Sequence, residues 1–214
     1  MSGTNRRLNF HVVGQRAGRR LRRSPPPVGH GCGSAVPELT PGGEFNMVGM
    51  FGIAMFYVGA VLVVNGAWLL GKADNRSAGI FNLLVGGLIT VMAINNHIRA
   101  TELVHHLGTA NALLFGFTYL ALAANTLFNL DGRALGWFCL FVAAATVPNF
   151  LMAFGAGDLR FGAIWFLWGF LWFIFFLSLA LGMARLTRAA AWLSIIIGLV
   201  TAGIPGYMML WGVW

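Results

Sequence analysis

Acidic residues are scarce: the chain of 214 residues has six Asp and Glu against fourteen Lys and Arg. Neither sign of charge enters any of six long apolar stretches. A pump, a proton relay or a sodium site needs an ionisable group at membrane depth, so this absence excludes ion-coupled transport and leaves passive transport. A membrane-embedded hydrolase or metalloenzyme would need catalytic acids, bases or ligands facing the interior; the spans lack them, and neither an enzyme activity nor a cofactor or metal is expected. Cysteine is nearly absent too. Cys32 and Cys139 are the two present, which rules out a disulfide framework. The first 46 residues hold no apolar run, so the arginines near the start do not introduce a secretory signal.

What the chain has in excess is hydrophobicity: 58% of residues are hydrophobic, 9% are charged and the mean hydropathy is +0.75. That composition belongs to an integral membrane protein. The formal charge of +8 does not mark a nucleic-acid binder, because seven of the fourteen basic residues precede Glu44 and the others sit in short loops.

Two regions follow from the composition. Residues 1–46, with RRLRR at Arg19–Arg23 and three prolines at Pro25–Pro27, form an Arg, Pro and Gly-rich basic tail that is expected to be disordered and dispensable, with Met47 as the expected working start. Residues 47–214 form the membrane domain. Its charge-free stretches are 47–71, 77–98, 103–130, 134–157, 161–184 and 189–214. Each is long enough to cross roughly 30 Å of hydrocarbon as a helix and too long and continuous for barrel strands. The fold class is therefore all-α, a polytopic membrane protein with six transmembrane helices.

Asp74, Asp131 and Thr187 recur at intervals of about 56 residues, as do Phe81, Trp137 and Trp192, a period that predicts three repeated helical hairpins. The turns of these hairpins lie at Lys72–Phe81, at Asn129–Arg133 and at Arg185–Trp192. Equivalent helices of such a repeat can face one axis and wall a pore. The first, third and fifth loops carry Lys72, Arg76, Arg133, Arg185 and Arg188, whereas the second and fourth carry Arg99 and Arg160. The excess of positive charge places the odd loops in the cytoplasm and both ends of the six-helix core outside.

Aromatic residues sit at unusual depth. Trp165, Trp168 and Trp172 recur at i, i+3 and i+7 on one face of the fifth helix, and Phe115 and Tyr119 share a face of the third. Tyr119 and Trp172 lie near mid-span, where hydrocarbon cannot satisfy a hydroxyl or an indole N–H, so they face either neighbouring helices or a hydrated path. The remaining polar groups in the spans are neutral: Asn65, Asn82, Asn125, Asn149, Thr118, Thr146, Ser194 and Thr201. Neutral donors and acceptors suit a small uncharged solute and compensate an ion poorly. His105 and His106 lack a third partner at a metal-ligand spacing and read as loop histidines.

Several blocks carry a family resemblance: YVGAVLVVNG at Tyr57–Gly66, LLGKAD at Leu69–Asp74, FNLLVGGL at Phe81–Leu88, LLFGFTYL at Leu113–Leu120, FNLDGRALGWFCLFVA at Phe128–Ala143, IWFLWGFLW at Ile164–Trp172 and TAGIP at Thr201–Pro205. On these the chain resembles the AmiS/UreI family of bacterial urea channels and short-chain amide transporters from Met47 to Trp214. The resemblance implies three hairpins around a pore in each protomer, a homo-hexamer, the bacterial inner membrane, and a cytoplasmic urease or amidase as the consumer of the cargo. It further implies that Phe115, Tyr119, Trp165, Trp168 and Trp172 line the pore. Two departures stand out. Ile197 replaces a typically acidic residue, and the loop Gly155–Arg160 is short and has no histidine, unlike the acid-gated member. A scaffold that recruits such an enzyme at the inner face without transporting is the alternative of another class.

Overall fold

The computed structural model describes residues 47–214; the basic tail of residues 1–46 lies outside the described residues. Six helices long and apolar enough to cross a membrane run in sequence, and they make the chain a multi-pass membrane protein. They are α1 (Met47–Leu69), α2 (Asn75–Arg99), α3 (Leu103–Phe128), α4 (Arg133–Gly155), α5 (Leu159–Leu179) and a sixth span, Ala184–Leu210. The sixth span is not uniform. A short 3₁₀ turn leads into α6 (Thr187–Ile197), a wider π turn covers Gly198–Gly203, and α7 (Ile204–Leu210) completes it.

The repeat seen in the sequence is built into the turns. A left-handed residue follows each odd helix: Gly71 after α1, Asn129 after α3 and Gly182 after α5, with φ of 73°, 52° and 66°. Such residues close a helix C-terminus because glycine, and next best asparagine, tolerates positive φ. Each turn then restarts a helix. Asp74 accepts the Ser77 backbone N–H at 2.9 Å to cap α2, and Asp131 accepts the Arg133 N–H at 2.9 Å and pairs with its guanidinium at the start of α4. These turns hold Lys72, Arg76, Arg133, Arg185 and Arg188 and define the basic end of the bundle. The α2–α3 and α4–α5 turns lie at the other end, with His97, His105 and His106.

Consecutive helices across the basic turns are not the closest partners. The intimate pairs are α2 with α3, α4 with α5, and the sixth span with α1, so the last span folds back onto the first. Glycine decides this. A Cβ on Gly86 of α2 would stand 2.9 Å from the Leu120 backbone nitrogen of α3, and one on Gly66 of α1 would stand 2.5 Å from the Ala191 carbonyl of α6. A Cβ on Gly59 would collide with the Cα of Gly203 at the end of the π turn, and one on Gly169 of α5 with the Thr146 hydroxyl of α4. In lipid there is no hydrophobic drive between helices, so close backbone approach through small residues holds them together.

Three looser seams separate the tight pairs, and hydrogen bonds between side chains cross each of them. Asn65 of α1 and Asn82 of α2 exchange amide hydrogen bonds at 3.0 and 2.6 Å. Asn111 of α3 and Asn149 of α4 do the same at 2.9 and 3.1 Å. Between α5 and the sixth span, the Trp168 indole N–H donates to the Thr201 hydroxyl at 2.8 Å.

Candidate functional site

The odd helices α1, α3 and α5 wall a central space, as the repeat anticipates. Of the two cavities whose walls share Phe115 and Trp168, the larger, about 150 Å³, opens between Leu62 and Asn65 of α1, Thr118 and Tyr119 of α3, and Trp172 and Phe175 of α5. It extends toward the basic end, where Trp68, Ser178 and Thr187 join its wall. A second cavity, about 80 Å³, lies toward the histidine end and is lined by Met55, Ile89, Asn111 and Trp165 among others. Phe115 and Trp168 belong to the walls of both.

An aromatic cluster thus stands between the two cavities. The Phe115 ring is edge-on to Trp168 and to Trp172, with centroids 4.7 Å apart in each case, and Trp165 meets Trp168 edge-on at 5.3 Å. Such T-shaped contacts place positive ring edges on negative faces and fix each ring's tilt. Phe115, Tyr119, Trp168 and Trp172 are all buried, and Trp165 is half-buried.

The polar tips divide into two kinds. The Trp168 N–H is spent on Thr201, whose own hydroxyl donates to the Ile197 carbonyl at 2.6 Å. By contrast, no described side chain or carbonyl takes the Tyr119 hydroxyl or the Trp172 N–H, and among the described residues no buried polar atom is sealed without a partner, so both tips face the larger cavity. Among the described residues no charged side chain lines that cavity. Its chemistry is the Tyr119 hydroxyl, the Trp172 indole N–H, and the side chains of Asn65, Trp68, Thr118, Ser178 and Thr187 among apolar surfaces.

The five aromatic residues singled out in the sequence come together, with one division: Trp165 lines the smaller cavity, while Tyr119 and Trp172 line the larger. The neutral polar residues mostly serve the protein itself. Thr146 donates to the Ala143 carbonyl, Ser194 to the Ala190 carbonyl and Thr118 to the Leu114 carbonyl, and Asn82 and Asn149 hold the seams. Sequence reading missed Thr201 as the anchor of Trp168 and Cys139 as part of the cavity wall. Ile197, in place of an acidic residue, is buried in the core and puts no charge there.

Comparison with known proteins agrees with this architecture. The family model described as AmiS/UreI family transporter matches residues 50–213. A protein of Mycolicibacterium smegmatis described as an amidate substrates transporter is 41% identical over 167 residues, covering 77% of this chain and 78% of its own. The acid-activated urea channel of Helicobacter pylori strain J99 is 35% identical over 190 residues, covering 75% of this chain and 97% of its own. That longer alignment takes in no more of this chain than the first, so the urea channel carries residues without a counterpart here. The crystal structure of the Helicobacter pylori urea channel superposes with a TM-score of 0.70 at 35% identity over 77% of this chain and 99% of that one. With the family model spanning nearly the whole described region and two relatives above 30% identity, the chain belongs to the AmiS/UreI family of transporters.

Proposed function

We propose that the chain is a passive conduit for urea or short-chain aliphatic amides, with Phe115, Tyr119, Trp165, Trp168 and Trp172 as its pore lining. The observation that carries this reading is the uncharged cavity into which Tyr119 and Trp172 direct otherwise unused polar tips, next to aromatic rings shared with a second cavity on the far side. A planar carboxamide can lie against an aromatic face, and its edge can bond a hydroxyl and an indole N–H. An ion finds nothing there to replace its hydration shell. The relatives' names, an amidate transporter and a urea channel, point to the same chemical class of cargo.

The positive-inside rule sets the basic end in the cytoplasm of a bacterial inner membrane, with both ends of the six-helix core outside. Cargo entering past Trp165 then leaves toward a cytoplasmic urease or amidase. Hexameric assembly is part of this reading and rests on the family. The test is stopped-flow shrinkage of proteoliposomes, normalised to folded protein, with urea, acetamide and propionamide. Flux above empty vesicles, with selectivity between urea and propionamide altered by Trp172→Ala, is the expected result. Flux equal to that of empty vesicles would overturn the conduit, and unchanged normalised flux and selectivity in Trp172→Ala would remove the assigned lining. Because the α4–α5 turn is short and free of histidine, flux is expected to change by less than about twofold between pH 7 and pH 5.

A further inference from the structure

The histidine end holds a constellation outside the walls of the two cavities. His97, in the last turn of α2, and His106, in the first turn of α3, face each other across the α2–α3 turn with their Nδ1 atoms 3.1 Å apart. Their rings are inclined at 62° with centroids 5.0 Å apart, an edge-on arrangement that leaves the two nitrogens converging. His97 is exposed and His106 is half-buried, so the pair is open to solvent.

We propose that His97 and His106 form a two-imidazole clamp for a divalent late-transition-metal ion, Zn²⁺ or Cu²⁺, tying the end of α2 to the start of α3. The geometry suits it. Two nitrogens each about 2.0–2.1 Å from one metal lie about 3.3 Å apart at a tetrahedral angle and about 2.9 Å apart at a right angle, and the observed separation falls between these. Both ligands are the neutral nitrogens such ions prefer, and copper binds most strongly by the usual order of affinities. Without a metal, one Nδ1–H donates to the other Nδ1; binding requires both imidazoles to carry their protons on Nε2, so one ring changes tautomer, at no cost in charge.

The turn is pre-set for binding. The Asn96 amide, one residue before His97, donates to the His105 carbonyl at 3.2 Å and to the Thr109 hydroxyl at 2.9 Å, which locks α2 to α3 beside the pair. Among the described residues no third His, Cys, Asp or Glu completes the set. The clamp therefore supplies two ligands, and water takes the other positions, so affinity falls in the micromolar range rather than that of a structural zinc site. His105, although adjacent in sequence, is no part of the clamp.

The experiment uses the full chain carrying a non-histidine affinity tag, with His11→Ala, His30→Ala and Cys32→Ser removing the ligands of the tail. Calorimetric titration with ZnCl₂ should show one bound ion. His97→Ala and His106→Ala should each weaken it by about tenfold or more, while His105→Ala stays within about twofold. Electron paramagnetic resonance of the Cu²⁺ complex gives an independent reading that needs no variant, with hyperfine structure from two nitrogen ligands expected. Zinc affinity unchanged in the His97→Ala and His106→Ala proteins, no binding to the parent chain, or a copper signal with fewer than two nitrogens would each overturn the proposal.

Discussion

Where α1 meets the sixth span, Gly59 lies against Gly203 so closely that a single added carbon has no room; where α1 meets α2, two asparagines reach across and exchange two hydrogen bonds. Glycine contacts recur in the tight pairs α2–α3 and α4–α5; an asparagine pair recurs in the seam α3–α4, and a single Trp168–Thr201 bond crosses the seam between α5 and the sixth span. Where glycine faces backbone, the two helices of a pair close on each other. Seams held by a few long polar side chains keep the odd helices apart in the middle, and the cavities lie there. The rigid parts and the open parts of this molecule are thus built from different residue types, which lets each be altered separately.

The strongest way to break the distinction is inside a pair. Gly59→Leu and Gly86→Leu place side chains into opposing backbone, and each should cost about 3 kcal/mol or more, seen as lost yield of folded protein and a lowered thermal midpoint. Gly87, next in sequence, has open space around it: a Cβ added there would meet nothing within 4 Å. Gly87→Ala should leave stability equal or higher by about 0.5–1 kcal/mol, because a helical glycine gives way to a better helix former. Equal damage at Gly86 and Gly87 would show that the pairs are not held by close approach.

The seams should respond less. Asn82→Leu strands the buried Asn65 amide and should cost about 1–3 kcal/mol, whereas Asn65→Leu with Asn82→Leu removes both partners and should recover most of that loss. Thermal denaturation of the two single variants and the double variant forms the cycle that checks it. An additive loss would mean that the amides do not act as a pair.

A smaller effect is expected within the cavity. Tyr119→Phe removes only a hydroxyl that no protein group uses, so stability should hold. Amide or urea flux should shift by the worth of one hydrogen bond, about 0.5–1.5 kcal/mol, or roughly twofold to tenfold.

The smallest effect belongs to the turns, outside both regions. Hydrogen bonds from the Ser77 hydroxyl and backbone N–H hold the Asp74 carboxyl below its ordinary value of 3.8. A carboxylate whose pKa is lowered by folding stabilises above its unfolded value and loses that contribution as pH falls through the folded one. Asp74→Ala should therefore destabilise slightly at pH 7, and its difference from the parent should shrink as pH falls below the ordinary carboxyl value of 3.8 and through the lowered folded one, as a pH series of denaturation curves would show.

Much of this was legible beforehand. Runs free of charge marked all six spans, because a helix in lipid must satisfy its backbone internally and tolerates little else. The aromatic cluster was legible as well, since Trp165, Trp168 and Trp172 share a face by spacing alone. The partner choice of the helices was not. The turn residues at Asp74 and Asp131 point to hairpins across the basic end, yet which helices press closest depends on which glycines face backbone, and Gly86 and Gly87 are indistinguishable in sequence. The π turn was also hidden, because GLVTAG at Gly198–Gly203 reads as ordinary helix. It packs against a neighbour distant in sequence, Gly59, where the two backbones meet.

The pairing of the sixth span with α1 has a consequence for synthesis. As the chain emerges, α2 and α3 can close on each other, and then α4 and α5, each almost as soon as its second helix is made. Of the six described spans, the first to be inserted has no such companion until the sixth arrives. At roughly 5–20 residues per second, α1 waits on the order of ten seconds in the bilayer with its glycine surface uncovered. The nascent chain thus passes through an interval in which Gly59 and Gly66 are open to lipid, and any quality-control factor that senses unassembled membrane helices meets this protein first at α1.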